Sequence, residues 1–473
     1  MTGSDRKQHF ISGKWIKGQG QELVVINPAT LESVTTISLA TNDEVDAAVQ
    51  AAKMAHTEFA KTTVAERKAL LAAIAVEYDK RRDEISHAIM QELGAPIDLA
   101  KGGQSGTAVS HLRNFQIAID EVQFEETLPN GDTLVRYPIG VAALITPWNW
   151  PIHQVCLKVL AAFAAGCSVV LKPSEETPLN AMILADIMHS AGVPDGVFNL
   201  VNGDGLGAGV ALAQHPDVQM ISFTGSTAAG ISVAREAAGT VKKVALELGG
   251  KSACLIFDDA DLDKALTATI NKLYSNSGQN CNAPTRLLVQ RDAYERACEL
   301  AASKVNAWQV NDPTKPGPHI GPVANMRQYN HIQKLIQSGI DEGGKLLVGG
   351  TGRPDGLDTG AFVKPTLIAD VNPEMQIVQQ EVFGPVLVMM PFDTEEEAIT
   401  IANDSKYGLA AYVHSADLDR VSRVSRQLDA GMVFANGGDL GPGSPFGGVK
   451  GSGIGKEGGR HGIEEYLEIK ILA

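Results

Sequence analysis

Apolar positions along this chain change rhythm three times, and each change marks a different kind of element. Near the start, residues 10–16 and 23–26 read as two short strands around Gly18-Gln19-Gly20, the second ending at Asn27-Pro28. Thr41-x-x-Glu44 and Thr63-x-x-Glu66 then read as capping boxes, in which hydroxyl and carboxylate exchange hydrogen bonds with the backbone of a first helical turn. Val45, Ala48, Val49 and Ala52 follow the first box, and Leu70, Leu71, Ile74 and Tyr78 the second, at helical spacing. A separate helix is predicted over 83–93, stopped by Gly94-Ala95-Pro96. Alternation takes over at 121–137, where Asn130-Gly131 between alternating runs predicts a hairpin. So polar a hairpin has little core of its own. Joining another subunit's sheet would stabilise it, and the alternating strand at 466–471 is a candidate partner.

From 141 to 238 short apolar runs alternate with helical patterns. Strands are expected at 141–145, 168–171, 197–201 and 220–223, and helices at 155–165, 179–190, 206–214 and 228–238. That order means a parallel, doubly wound sheet, whose ligands bind beyond the carboxyl ends of the strands. Three of those ends are polar or glycine-rich: Thr146-Pro147-Trp148-Asn149, Lys172-Pro173-Ser174-Glu175 and Thr224-Gly225-Ser226-Thr227. Gly203-x-Gly205-x-x-Ala208 has the form of a dinucleotide fingerprint but lacks the acidic residue expected about 20 positions on, so a tight strand-to-helix turn explains it equally well. Lys172 and Glu175 make a better ribose clamp, with an exposed turn as the alternative. A second α/β stretch follows Glu247, with strands at 252–257, 286–289, 345–348, 410–414 and 432–435 and helices at 261–274, 294–305, 327–342, 395–403 and 417–430. The glycine-rich run 437–459, with Phe446 embedded, reads as a loop shaped around a site.

Composition narrows the class. A chain of 473 residues predicts two or three domains. A formal net charge of −15 argues against nucleic acid or an anionic membrane surface as partner. Cys156, Cys167, Cys254, Cys281 and Cys298 show no CxxC pair, so neither a disulfide framework nor a metal site is expected. Met1 to Gln8 is polar, without the apolar region of a signal peptide, and the apolar run 159–171 is too short to span a bilayer. The expected location is the cytoplasm.

Two stretches carry candidate chemistry. Cys281 sits in the polar segment Ser277-Gly278-Gln279-Asn280-Cys281-Asn282, which displays a thiol on a loop, where backbone amides could donate to a developing oxyanion. Glu247 ends an apolar run just before Gly249-Gly250. Alone, each has a bland alternative: a buried inert thiol and a solvated carboxylate. Together they form a nucleophile and base for covalent catalysis.

With these pieces in order, the chain resembles the NAD(P)-dependent aldehyde dehydrogenase superfamily along nearly its whole length. The motifs are ITPWN (145–149), KPSE (172–175), FTGS with Gly230, LELGGK (246–251), GQNC (278–281), EVFGP (381–385) and SPFGG (444–448), and the spacing from Glu247 to Cys281 also matches. The resemblance implies an α/β fold: a Rossmann-like doubly wound parallel sheet as NAD-binding domain (1–118 and 139–249), a second α/β catalytic domain (250–447) and a small β oligomerisation arm (119–138 and 453–473). It implies that Cys281 attacks the aldehyde, that Asn149 and the Cys281 N–H hold the oxyanion, that hydride leaves to nicotinamide, and that Glu247 activates water to hydrolyse the acyl-thioester. Cofactor contacts are implied at Ile145, Thr146, Pro147, Trp148, Lys172, Ser174, Glu175, Gly205, Phe223, Gly225, Ser226, Leu248, Glu381 and Phe383. NAD is favoured over NADP, because a carboxylate at Glu175 repels a 2′-phosphate. Substrate contacts are implied at Trp150, Gln154, Leu157, Asn280, Asn282, Leu440 and Phe446, a set without Arg or Lys that favours a medium-sized or aromatic aldehyde over a dicarboxylic semialdehyde. A homodimer or homotetramer is expected. Rival readings are a coenzyme A-acylating enzyme, disfavoured by Glu247; a cysteine hydrolase, which lacks a histidine base other than His153; and a silent binding protein on the same fold.

Overall fold

Apolar runs too uniform to face water must be covered on both sides, and they form the centres of two large sheets. The computed structural model describes residues 6–473, so the first five residues of the polar stretch Met1–Gln8 lie outside it. The first sheet has eight strands. Its parallel centre runs Phe198–Leu200, Ser168–Lys172, Val141–Ile145, Met220–Gly225 and Lys243–Leu248 across space. Read in chain order this is the doubly wound arrangement, with its switch between Val141–Ile145 and Met220–Gly225. Antiparallel strands cover both edges: Gln8–Ile11 with Lys14–Lys17 on one side, Gly453–Ile454 on the other.

The second sheet has seven strands, ordered Lys345–Val348, Thr366–Ala369, Val386–Phe392, Arg286–Gln290, Ala253–Ile256, Ala410–His414 and Met432–Ala435. All neighbours are parallel except the first pair. A third sheet joins Glu125–Thr127, Thr133–Pro138 and Leu467–Leu472.

Both capping boxes form as the sequence predicts. The separate helix at 83–93 does not exist: one helix of 30 residues runs Val64–Leu93, because the charged stretch after Tyr78 contains no breaker before Gly94, which ends it at a left-handed φ of 77°. The strand expected at 10–16 is a hairpin turning at Ser12 and Gly13, both at positive φ. The polar hairpin finds its third strand within its own chain, Leu467–Leu472 pairing along Thr133–Pro138. Residues 97–118, which carried no predicted element, form Ile97–Leu99, the π-helix Ala100–Gln104 and the helix Ser105–Ala118; glycines at 102, 103 and 106 hide the pattern. Strands Thr366–Ala369 and Val386–Phe392 were also not anticipated. Among the described residues no helix is long and apolar enough to cross a membrane.

Candidate active site

The chain leaves the first sheet at Leu248, passes through Gly249-Gly250-Lys251-Ser252, and enters the second sheet at Ala253. Residues on both sides of this crossover line a cavity of about 610 Å³. Pro147, Trp148, Asn149, Gly225, Ser226, Glu247 and Leu248 come from the ends of first-sheet strands, and Cys281, Glu381 and Phe383 from loops of the second. A second cavity, of about 680 Å³, meets the first at Gln154, Cys281 and Phe446. All seven expected substrate contacts line it: Trp150, Gln154, Leu157, Asn280, Asn282, Leu440 and Phe446. The thiol therefore stands where two cavities join.

Its loop is held under backbone strain. After the helix Leu262–Tyr274, Asn276 and Ser277 adopt left-handed φ values of 54° and 57°, and Gly278 follows at 75°. A side chain at Gly278 would fall 2.1 Å from the Gly384 carbonyl, so this glycine lets the GQNC and EVFGP segments touch. Buried amides lock the turn. Asn276 Nδ2 and Gln104 Nε2 both donate to the Asn149 carbonyl, at 2.8 and 3.0 Å. Ser277 Oγ donates to the Gly321 carbonyl, and Gln279 Oε1 accepts from Ala324 N–H, both at 2.8 Å. Asn149 Nδ2 donates to the Gln279 carbonyl at 3.0 Å, which uses one N–H of the amide and leaves the second.

Burial first, and then the carboxylates of Glu381 and Glu247, push the Cys281 thiol up to about 12, against the pull of the Asn282 and Cys281 N–H groups. The resting thiol thus keeps its proton at neutral pH. Glu247 is 4% exposed, and among the described residues neither carboxylate oxygen has a hydrogen-bond partner. Burial, then the negative charge of Glu457, holds it well above the ordinary carboxylate range. Gly447, at φ 147°, brings its loop so close that a side chain there would lie 2.4 Å from Glu247 Oε1. Behind it, buried Lys158 pairs with Glu457 and donates to Ser222 Oγ at 2.9 Å.

On the far side of the thiol, Glu381 Oε1 accepts from Gly250 N–H at 3.0 Å, and burial raises this carboxyl to about 7. Phe383, at a left-handed φ of 53°, meets Trp148 edge to face at 5.3 Å. Gln328 Nε2 fixes it by donating to the Val382 and Phe383 carbonyls.

Other expected cofactor residues lie off this cavity. Ile145, Thr146, Lys172, Ser174, Glu175, Gly205 and Phe223 do not line it. Ile145, Lys172 and Phe223 nevertheless share one register across adjacent strand ends. Lys172 Nζ is buried, donates to the Pro173 and Gly203 carbonyls at 2.9 and 2.7 Å, and stands 3.5 Å from Glu175. Gly203-x-Gly205 opens a π-helix whose cap is Asp204. Asn280 lines the second cavity with its amide already engaged: Oδ1 accepts from Trp150 Nε1 at 2.5 Å, and Nδ2 donates to the Ser275 carbonyl. The sequence reading missed Gln104, Gln328, Tyr407, His111 and Lys272. Lys272 lines the second cavity but is paired with Asp439 at 3.1 Å and lies over the Phe434 ring. Gln104 ends the π-helix Ala100–Gln104 and His111 lies on the helix that follows, and neither element has a side-chain cap to announce it among the glycines at 102, 103 and 106.

Known proteins with the same sequence pattern are numerous. The model of the aldehyde dehydrogenase family matches residues 15–472. The 3-succinoylsemialdehyde-pyridine dehydrogenase of a Pseudomonas species is 48% identical over 471 residues, which cover 99% of this chain and 98% of that protein. An aldehyde dehydrogenase structure from Bartonella henselae superposes with a TM-score of 0.97 at 47% identity, covering 99% of each chain. A mutant of aldehyde dehydrogenase C from Pseudomonas syringae, solved with NAD+ and octanal, gives 0.97 at 42% identity, covering 98% of this chain and 96% of the other.

Proposed function

The chain belongs to the aldehyde dehydrogenase family, enzymes that oxidise an aldehyde to its carboxylic acid, and we propose that it does so with NAD through Cys281 as nucleophile and Glu247 as base. The observation that carries this assignment is the junction of two cavities at one thiol, beside a buried carboxylate that no described residue hydrogen-bonds. A group of that kind accepts a proton readily.

The first cavity suits a dinucleotide. Ser226 Oγ caps the helix Thr227–Ala238, whose N-terminus points donors toward an anion such as a pyrophosphate. Glu381 occupies the space that a side chain at Gly249 would take, with Oε2 2.0 Å from that position, and can accept from ribose hydroxyls. Phe383 and Trp148 present ring surface to a flat heterocycle. When bound, NAD supplies the acceptor for the hydride. The protein does the rest. Cys281 Sγ adds to the carbonyl carbon while the thiol proton passes to a base, and Glu247 lines the same cavity. The second N–H of the Asn149 amide and the backbone N–H of Cys281 are the donors this reading assigns to the oxyanion, both residues lining the same cavity. After oxidation the carbon is a thioester. Glu247 takes a proton from water, the water oxygen bonds to the acyl carbon, and the C–S bond breaks to release acid and thiol.

Glu175 beside Lys172 supports a preference for NAD over NADP. The exposed apolar residues Ile469, Ile471 and Leu472 of the arm support a homodimer or homotetramer. Five free thiols support a reducing compartment such as the cytoplasm.

The test is NADH absorbance with a panel of aldehydes. Turnover is expected with NAD and is expected to vanish in Cys281→Ala. NAD should exceed NADP in kcat/KM by about tenfold or more, equal to 1.4 kcal/mol, and Glu175→Gln should narrow that gap. NADP preferred over NAD would overturn the assignment of Glu175.

A further inference from the structure

Two histidines face each other in the wall of the second cavity, and the reaction uses neither. We infer that the His111–His153 pair reads the far end of the aldehyde and selects one carrying a neutral hydrogen-bonding group, such as a ketone oxygen, an amide or a ring nitrogen, over a carboxylate or a plain alkyl chain. The inference rests on the aldehyde dehydrogenase reading above and deepens it to a substrate class.

His111 lies on the helix Ser105–Ala118 and His153 in the first turn of Pro151–Ala165. His111 Nε2 and His153 Nδ1 are 2.8 Å apart, and the ring centroids 4.6 Å. Both rings line the cavity on the substrate side and neither lines the other, so they stand away from the cofactor face of the thiol. Between the two inner nitrogens there is one proton. If His111 donates it, His153 keeps an N–H on Nε2 and His111 a bare Nδ1; if His153 donates it, the assignments exchange. In both tautomers the outer nitrogens therefore present one donor and one acceptor. Among the described residues neither outer nitrogen has a hydrogen-bond partner.

Charge decides which group they suit. Burial lowers both imidazoles, His153 to about 4, so the pair is neutral at neutral pH. The charged groups of this cavity, Lys272 and Asp439, satisfy each other. Among the described residues, the one cation lining this wall, Lys272, already has an acid partner in Asp439, so a carboxylate here would have to compete for it. The surrounding rings are apolar, with Phe115 6.3 Å from His111 and Trp150 6.1 Å from His153. A plain alkyl end packed here would strip water from the outer N–H and lone pair and return nothing, whereas a carbonyl oxygen or ring nitrogen restores a bond.

The experiment compares kcat/KM with NAD for three aldehydes of equal length, ending in a methyl group, an aryl ketone and a carboxylate, each normalised to propanal. The native protein is expected to prefer the ketone over the methyl end by about tenfold or more. His111→Leu and His153→Leu are expected to reverse that ratio, and His153→Gln, which keeps a donor and an acceptor, to retain part of it. A ratio unmoved by both Leu variants, or a native preference for the carboxylate end, would overturn this inference alone. If none of the aldehydes, propanal included, yields NADH, the aldehyde dehydrogenase reading falls and takes this one with it.

Discussion

The two large sheets contribute to the site in opposite ways. In the first, functional side chains follow their strands: residues 146–149 after Val141–Ile145, Ser226 after Met220–Gly225, and Glu247 at the end of Lys243–Leu248. In the second, most precede them: Cys281 before Arg286–Gln290, Glu381 and Phe383 before Val386–Phe392, Tyr407 before Ala410–His414, with Leu440 and Phe446, after Met432–Ala435, as the exceptions. Carboxyl ends of one sheet meet amino ends of the other. Backbone conformation differs in the same way. No residue other than glycine takes a positive φ in the first-sheet site segments 146–149, 173–175 and 225–226, whereas Asn276, Ser277 and Phe383 all do so on the second-sheet side. A strand end already aims donors and a helix N-terminus at the ligand, but a loop entering a strand has to be bent into the cavity and held there.

The sharpest way to divide the two halves is to silence one. Glu247→Gln removes the first sheet's base and leaves the thiol. One burst of NADH per active site is expected to survive in amplitude, slower in rate because the thiol also loses a base, followed by turnover slowed by about 10²–10⁴-fold. The pH dependence gives a second reading. Because burial raises the Glu247 carboxyl, the native rate should fall as pH drops through a value above the usual carboxylate range, where the base takes up its proton. In Glu247→Gln that limb should be absent. Loss of the burst as complete as in Cys281→Ala would mean that the two sheets do not divide the chemistry.

A smaller effect is expected where the halves touch. Gly249 belongs to the crossover, and a methyl group there would meet the Glu381 carboxylate of the second sheet at 2.0 Å. Gly249→Ala should displace Glu381 and raise the KM for NAD by about tenfold, or 1.4 kcal/mol, with a smaller change in the KM for aldehyde. Equal changes in both would show that Glu381 does not serve the cofactor side alone.

This contrast also explains what the sequence disclosed. Strand ends such as Thr146-Pro147-Trp148-Asn149 stand out because an apolar run stops and polar residues begin, so the first half of the site is legible from pattern alone. Cys281 was legible as a displayed thiol, and its motif named it, but no periodicity shows that it precedes its strand. Gln104 and His111 stayed hidden because their helix begins in a glycine-rich π-turn that breaks the expected spacing. Val386–Phe392 escaped because its apolar run is bounded by Gly384-Pro385 and carries Pro391 near its end, signals that argue against a central strand. Lys172 was read as a ligand clamp, and its two carbonyl partners are visible only in three dimensions.

The smallest expected effect, a difference of about 1 kcal/mol between two variants of one residue, tests the strain itself. Asn276 sits at φ 54°, its side chain bonded to the Asn149 carbonyl, so its replacement acts on bond and backbone together. Asn276→Ala should lose a buried hydrogen bond of about 1 kcal/mol and place a residue with a Cβ, and no compensating amide, in the left-handed region for about 1 kcal/mol more. Asn276→Gly loses the same bond without the conformational cost, so it should unfold at a denaturant concentration between those of Asn276→Ala and the native chain. The matching deletion on the first-sheet side is Ser174→Ala, which removes only an acceptor for the Glu176 N–H from an unstrained turn, and should cost about 1 kcal/mol or less. If Asn276→Gly proves no more stable than Asn276→Ala, the turn is held by its hydrogen bonds alone, and the conformational contrast between the two sheets loses its energetic basis.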